Sequence, residues 1–110
     1  MMDVRYGAMP NDCFINYMKY LTDRVYKILP MSEENVGTIV EYMNDLCEEM
    51  IGNYELIESL KEDGLFLSLM GNIQYLIKDE NYMVHKICKK KVFNSISTIE
   101  KLINKYSKEE

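Results

Sequence analysis

The sequence predicts an all-α fold, an antiparallel four-helix bundle in a single helical domain over residues 1–110, and three observations carry that prediction. Apolar residues recur at three- and four-residue steps through four segments, the spacing of amphipathic helices. Only two Pro and five Gly interrupt 110 residues, so few breaks are imposed. A chain that is 47% hydrophobic and 28% charged has globular composition, and nine Met, nine Tyr and three Phe, without Trp, can fill a modest core. Helices joined by short connections must turn back on one another, which makes the bundle antiparallel. A helical dimer that completes its core across two chains is the main alternative.

Residues 1–10 hold Gly7 and Pro10 and no sustained period, so they read as a leader strap. Asn11 or Asp12 can cap a first helix, whose stripe is Phe14, Tyr17, Met18, Leu21, Val25, Ile28 and Leu29. Pro30 is expected to stop it, opening the linker PMSEENVG over 30–37. Thr38 and Glu41 have capping-box spacing and set the start of a second helix. Its stripe is Ile39, Met43, Leu46, Cys47, Met50, Tyr54 and Ile57, with Gly52 opposite and Glu41, Asp45, Glu48, Glu55 and Ser59 on an acidic outer side. Asp63 and Gly64 mark a turn and the next cap. The third helix is crowded with Leu65, Phe66, Leu67, Leu69, Met70, Ile73, Leu76 and Ile77, and is either the most buried element or one that meets a partner. After a polar stretch at 78–81, a long fourth helix runs to about Tyr106 on the stripe Val84, Cys88, Val92, Ser95, Ile96, Ile99, Leu102, Ile103 and Tyr106. Residues 107–110 should fray.

Composition also limits function. A net charge of −5 argues against a protein that coats DNA, because phosphate binding draws on concentrated positive charge. Cys13, Cys47 and Cys88 are an odd count without a CxxC pair, which favours a reducing, cytoplasmic setting over a disulfide framework. The first twelve residues lack the pattern of a secretory signal, and LFLSLM at 65–70 is far short of the roughly 20 residues that span a bilayer. His85 and Cys88 lie one turn apart, but zinc needs three or four protein ligands, so no metal and no cofactor is expected. Glu41, Glu48, Glu49, Glu55, Glu58 and Glu62 mostly project from one helix rather than converging, which reads as a solvated face. No phosphate-binding loop or nucleophile constellation is present, so no catalytic residue is assigned and the chain is read as no enzyme.

The segment KICKKKVF at 86–93 divides by helical phase. Cys88 and Val92 turn inward, Lys89 and Lys91 border the core stripe, and Lys86, Lys90 and Phe93 face outward, with Lys101 extending the row. An aromatic among exposed cations is the kind of anchor that concentrates binding energy. The candidate partner-binding residues are therefore Lys86, Lys90, Phe93 and Lys101, joined by Leu65 and Phe66 of the apolar third helix. The alternative is a nucleic-acid surface made of Lys86, Lys89, Lys90, Lys91 and Lys101. Charge is also segregated along the chain: residues 32–63 hold ten acidic side chains against Lys61, whereas 81–110 hold seven Lys against three Glu. Such a division orients neighbours or subunits.

Through YLTDRVYKILPMSEEN at 20–35, TIVEYMNDL at 38–46 and VFNSISTIEKL at 92–102, the chain resembles small helical accessory proteins encoded beside phage-related and anti-phage defence genes. The likeness is closest to the middle components of three-component systems built around an ABC-type ATPase. It covers about residues 15–105 and rests on helix patterning and one linker. The resemblance implies a non-catalytic subunit bridging an SMC-like ATPase and an effector, and it transfers no functional residue.

Overall fold

A computed structural model describes residues 1–107, the side chain of Glu62 excepted. Four long helices carry the fold: α1 (Asn11–Tyr26), α3 (Ile39–Leu56), α4 (Gly64–Ile77) and α5 (His85–Ser107). A short α2 (Ile28–Glu33) and two strands, β1 (Met2–Val4) and β2 (Gly7–Met9), complete it, with 3-10 turns at Glu58–Glu62 and Lys78–Met83. The chain is thus mostly helical, but the all-α expectation omits a sheet. Of the tail expected to fray at 107–110, Ser107 is the last residue of α5 and the rest lies outside the described residues.

The predicted strap is a β-hairpin. Met2 pairs with Met9, Asp3 with Ala8 and Val4 with Gly7, around a loop of Arg5 and Tyr6. Gly7 holds φ +156, a conformation that costs a residue with a side chain strain. Met2 is buried in the core while Asp3 is exposed, the alternation of a half-buried strand. The other edge of β1 is covered by the connection between α3 and α4: Asp3 N donates to Ser59 Oγ at 2.8 Å and Arg5 N to the Leu56 carbonyl at 2.8 Å.

Pro30 breaks the first helix, but four residues earlier than expected. It has no N–H to give the Tyr26 carbonyl, and its ring crowds that oxygen. So α1 ends at Tyr26, and α2 begins at Ile28 with Pro30 in its first turn, where a missing donor costs nothing. The linker therefore starts after α2, whose end is a Schellman motif: Asn35 adopts φ 52, Asn35 N donates to the Ser32 carbonyl at 3.3 Å and Val36 N to that of Met31 at 2.9 Å.

Caps are only partly as expected. Pro10, rather than Asn11 or Asp12, precedes the first turn of α1. Thr38 does stand before α3, yet its hydroxyl makes no capping bond, because ψ 9 turns the residue away from the extended geometry that a cap requires. Asp63 behaves as predicted, its Oδ1 accepting from Leu65 N at 2.9 Å at the start of α4.

The stripes of α1 and α3, and the apolar set of α4 apart from Leu67, are buried or half-buried, led by Phe14, Met18, Leu21, Met43, Leu46, Met50, Phe66, Leu69 and Ile73. In α5 the stripe holds from Cys88 to Tyr106, but Val84 is 48% exposed. It lies before the helix in extended backbone, after a turn in which Asp79 and Glu80 take φ 53 and 56, so helical phase does not govern it. α5 packs mainly on α1 and α4, and α4 also packs on α3. Asn11 meets Tyr106, and Tyr26 meets Phe93, so α1 and α5 run in opposite directions. Among the described residues no helix is long and apolar enough to cross a membrane.

Candidate functional site

Residues 86, 89, 90 and 93 are three, four and seven apart, the spacing that puts side chains on one helix face. On α5 these are Lys86, Lys89, Lys90 and Phe93, all exposed. Phe93 is 45% exposed and is covered on one side by Tyr26, whose ring it meets edge to face at 6.3 Å and 77°. The two aromatics make an apolar step beside three cations. Lys91 leaves this set: it is half-buried, with Nζ 4.5 Å from the centre of the Tyr75 ring on α4. Lys101 is exposed but lies about 12 Å further along the helix than Phe93, toward the α4 side.

The third-helix candidates do not join them. Phe66 is 0% exposed and stacks on Tyr54 at 6.3 Å and 9°, so its expected surface role is corrected to a core role. Leu65 is half-buried against that core. Hydrophobic crowding on a helix does not say which side is covered. The outer residues of α4 are instead Leu67, 47% exposed, and Tyr75, 43% exposed, with Ser68 and Gly71 between them.

Two clusters have no counterpart in the sequence reading. Between α1 and α3, the Arg24 guanidinium donates from Nε to Tyr42 Oη at 3.1 Å and from Nη1 to Tyr20 Oη, while Tyr42 Oη donates back to the Arg24 carbonyl at 2.7 Å. Glu49 Oε1 accepts from Tyr20 at 3.0 Å and lies 3.7 Å from Arg24 Nη1; its Oε2 accepts from Tyr17 at 3.4 Å. Burial, with the Glu49 carboxylate beside it, pushes the Tyr17 phenol well above its usual range. Glu49 is thus not part of the solvated acidic face. The available signal was Tyr17, Tyr20 and Arg24 on one flank of a helix at steps of three and four.

The second cluster surrounds Asp63. Oδ1 caps α4, while Oδ2 accepts from Tyr106 Oη at 2.8 Å and from Lys105 Nζ at 3.0 Å. Burial alone would raise this carboxyl's pKa, but the bonds from Lys105, Tyr106 and Leu65 prevail and hold it below the ordinary carboxylate range. Phe14 meets the Tyr106 ring at 4.9 Å, and Asn11 Nδ2 donates to the Tyr106 carbonyl at 2.8 Å. Asp63 also lines a recess of about 530 Å³ with Asp3, Glu58, Ser59, Lys105 and Tyr106. Both its oxygens are committed to contacts that tie the start of α4 to the end of α5.

His85 is exposed, with Nε2 3.8 Å from Glu33 Oε1, whereas Cys88 faces the core. Among the described residues no group of three His, Cys, Asp or Glu could hold a metal ion. Burial pushes the Cys47 thiol up to about 11 and also raises that of Cys88, near Glu33, which suppresses the thiolate needed for nucleophilic attack. Cys13 is exposed. Comparisons with protein-family models, curated proteins and solved structures find no match.

Proposed function

We propose that this chain is a non-catalytic helical subunit that docks on a larger protein through the outer face of α5, as an accessory component of a phage or anti-phage defence complex in the cytoplasm. In this reading the four long helices form an antiparallel bundle and self-association covers what one chain leaves open. One observation carries it: Phe93 stands half-exposed on Tyr26 beside Lys86, Lys89 and Lys90. An aromatic anchor ringed by cations suits an apolar pocket with an acidic rim, since buried aromatics supply affinity and the surrounding charges supply orientation and association rate. The defence setting rests on the resemblance of the helix pattern.

Capture from the native host, with the wild-type chain beside Phe93→Ser and Lys86→Glu/Lys90→Glu, tests the reading. A defined protein should be captured by the wild type and lost from both variants, while their helical circular dichroism is unchanged. Equal capture by all three, or none by any, contradicts it. The second reading, a nucleic-acid accessory, is favoured by the same exposed lysines. It requires that labelled DNA or RNA bind at low salt, with affinity falling steeply as salt rises and on reversal of Lys86 and Lys90.

A further inference from the structure

We infer that the face formed by α4, with its flanks on α3 and α5, is a two-fold interface that takes a second copy of this chain, the two α4 helices lying parallel. The proposal deepens the reading of the chain as an assembly subunit but uses a different face from that of Phe93.

The 14 residues of α4 include no charged side chain. Its outer side presents Leu67, Ser68, Gly71 and Tyr75 to solvent, although a solvated helix face is ordinarily charged. Depletion of charge with retention of aromatics marks the centre of an interface. Gly71 sharpens the point: a Cβ added there would meet nothing within 4 Å, so this chain's own packing does not require glycine in mid-helix. A glycine between Leu67 and Tyr75 on an open face allows another backbone to approach closely.

The flanks identify the occupant. On the α3 side stand Glu48, Ile51 and Glu55, three and four residues apart and exposed; Glu48 and Ile51 line a groove of about 320 Å³ with Gln74 and Ile77 of α4. On the α5 side, Lys91 sits on Tyr75 and Lys105 on Asp63, and Lys101, exposed and one turn before Lys105, stands on the outer margin of that edge. One long edge of the face is acidic and the other basic. Lys78, just past α4 on the acidic side, is followed by Asp79 and Glu80.

The levels match as well. Glu48 is beside the C-terminal half of α4, as is Lys91 on the other edge. Glu55 follows Tyr54, which stacks on Phe66, and Lys101 is one turn from Lys105 at the opposite end of the same helix. Rotation by 180° about an axis across the helices would set acid against acid. Rotation about an axis along α4 sets Glu48 against Lys91 of the second copy and Glu55 against its Lys101, twice over. Self-complementarity of this kind is what an isologous dimer requires.

Light scattering and sedimentation equilibrium of the full chain test the proposal. At low salt the wild type should weigh twice 13.0 kDa, and its dissociation constant should rise about tenfold or more in ~0.5 M salt. Gly71→Arg should be monomeric with unchanged circular dichroism, because position 71 is exposed and a Cβ there meets nothing in its own chain within 4 Å. Glu55→Lys and Lys101→Glu should each weaken the dimer about tenfold or more, and the double variant should return to within about threefold of wild type. A wild type that remains at 13.0 kDa at ~1 mM and low salt overturns the inference. So does a dimer indifferent to Gly71→Arg, or a double variant no tighter than the singles. Phe93→Ser leaves this equilibrium untouched, so the two proposals fail separately.

Discussion

Asp63 ties together three helix ends that lie far apart in sequence. It caps α4, takes a proton donor from each of two residues near the end of α5, and thereby holds Tyr106 against Phe14 and Asn11 of α1. Asp63→Ala removes a cap, at about 1 kcal/mol, and leaves the buried Tyr106 hydroxyl without this acceptor, at about 1–3 kcal/mol. A total of about 2–4 kcal/mol should lower Tm by roughly 10 °C or more. Asp63→Asn keeps an acceptor for the cap and should lose about half as much. The charge adds a pH dependence of definite sign. Because the folded carboxyl's pKa lies below its unfolded value, its contribution is present above about pH 4 and is lost as pH falls through the folded pKa. Thermal melts of the wild type should therefore weaken more steeply below about pH 4 than those of Asp63→Asn. Parallel curves would show that the charge contributes nothing.

At the scale of elements, local signals were legible wherever local physics decides. The stripes of α1 and α3 face the core as their spacing requires, as does the α4 set apart from Leu67, and the Asp63 cap forms as its position before Gly64 suggests. The hairpin was illegible because three-residue strands are too short to show a period, and because β1 is held by Ser59 and Leu56, more than fifty residues away. Pro30 ends α1 by the expected mechanism but four residues upstream of itself, since the bond it deletes belongs to the Tyr26 carbonyl. Phe66 and Leu67 are both large and apolar, and the packing of α4 on α3 and α5 makes one core and leaves the other on the surface. The α5 lysine face was legible in phase, but its cover by Tyr26 was not, nor was the Lys91 contact with Tyr75. Gly52, in mid-α3, is exposed and a Cβ there would meet nothing within 4 Å. Gly52→Ala should thus stabilise the fold by about 0.5–1 kcal/mol, raising Tm by a few degrees. A lower Tm would mean that the outer side of α3 is not free.

Across the whole molecule, charge is divided between helices that share no extensive contact, α3 acidic and α5 basic, with uncharged α4 packed on both. A division of this kind adds little to the stability of one chain, because exposed charges this far apart are screened. It is informative to a neighbour, and it leaves two surfaces with separate chemistry: the α4 face, proposed above to take a second copy, and the Phe93 step on α5, proposed to dock a different protein. Placing a benzophenone side chain at position 93 and illuminating cells of the native host tests that second surface most directly. The expected result is one adduct joining this 13.0 kDa chain to a larger protein, weakened by Lys86→Glu/Lys90→Glu. Adducts to nucleic acid, or none at all, would contradict the account.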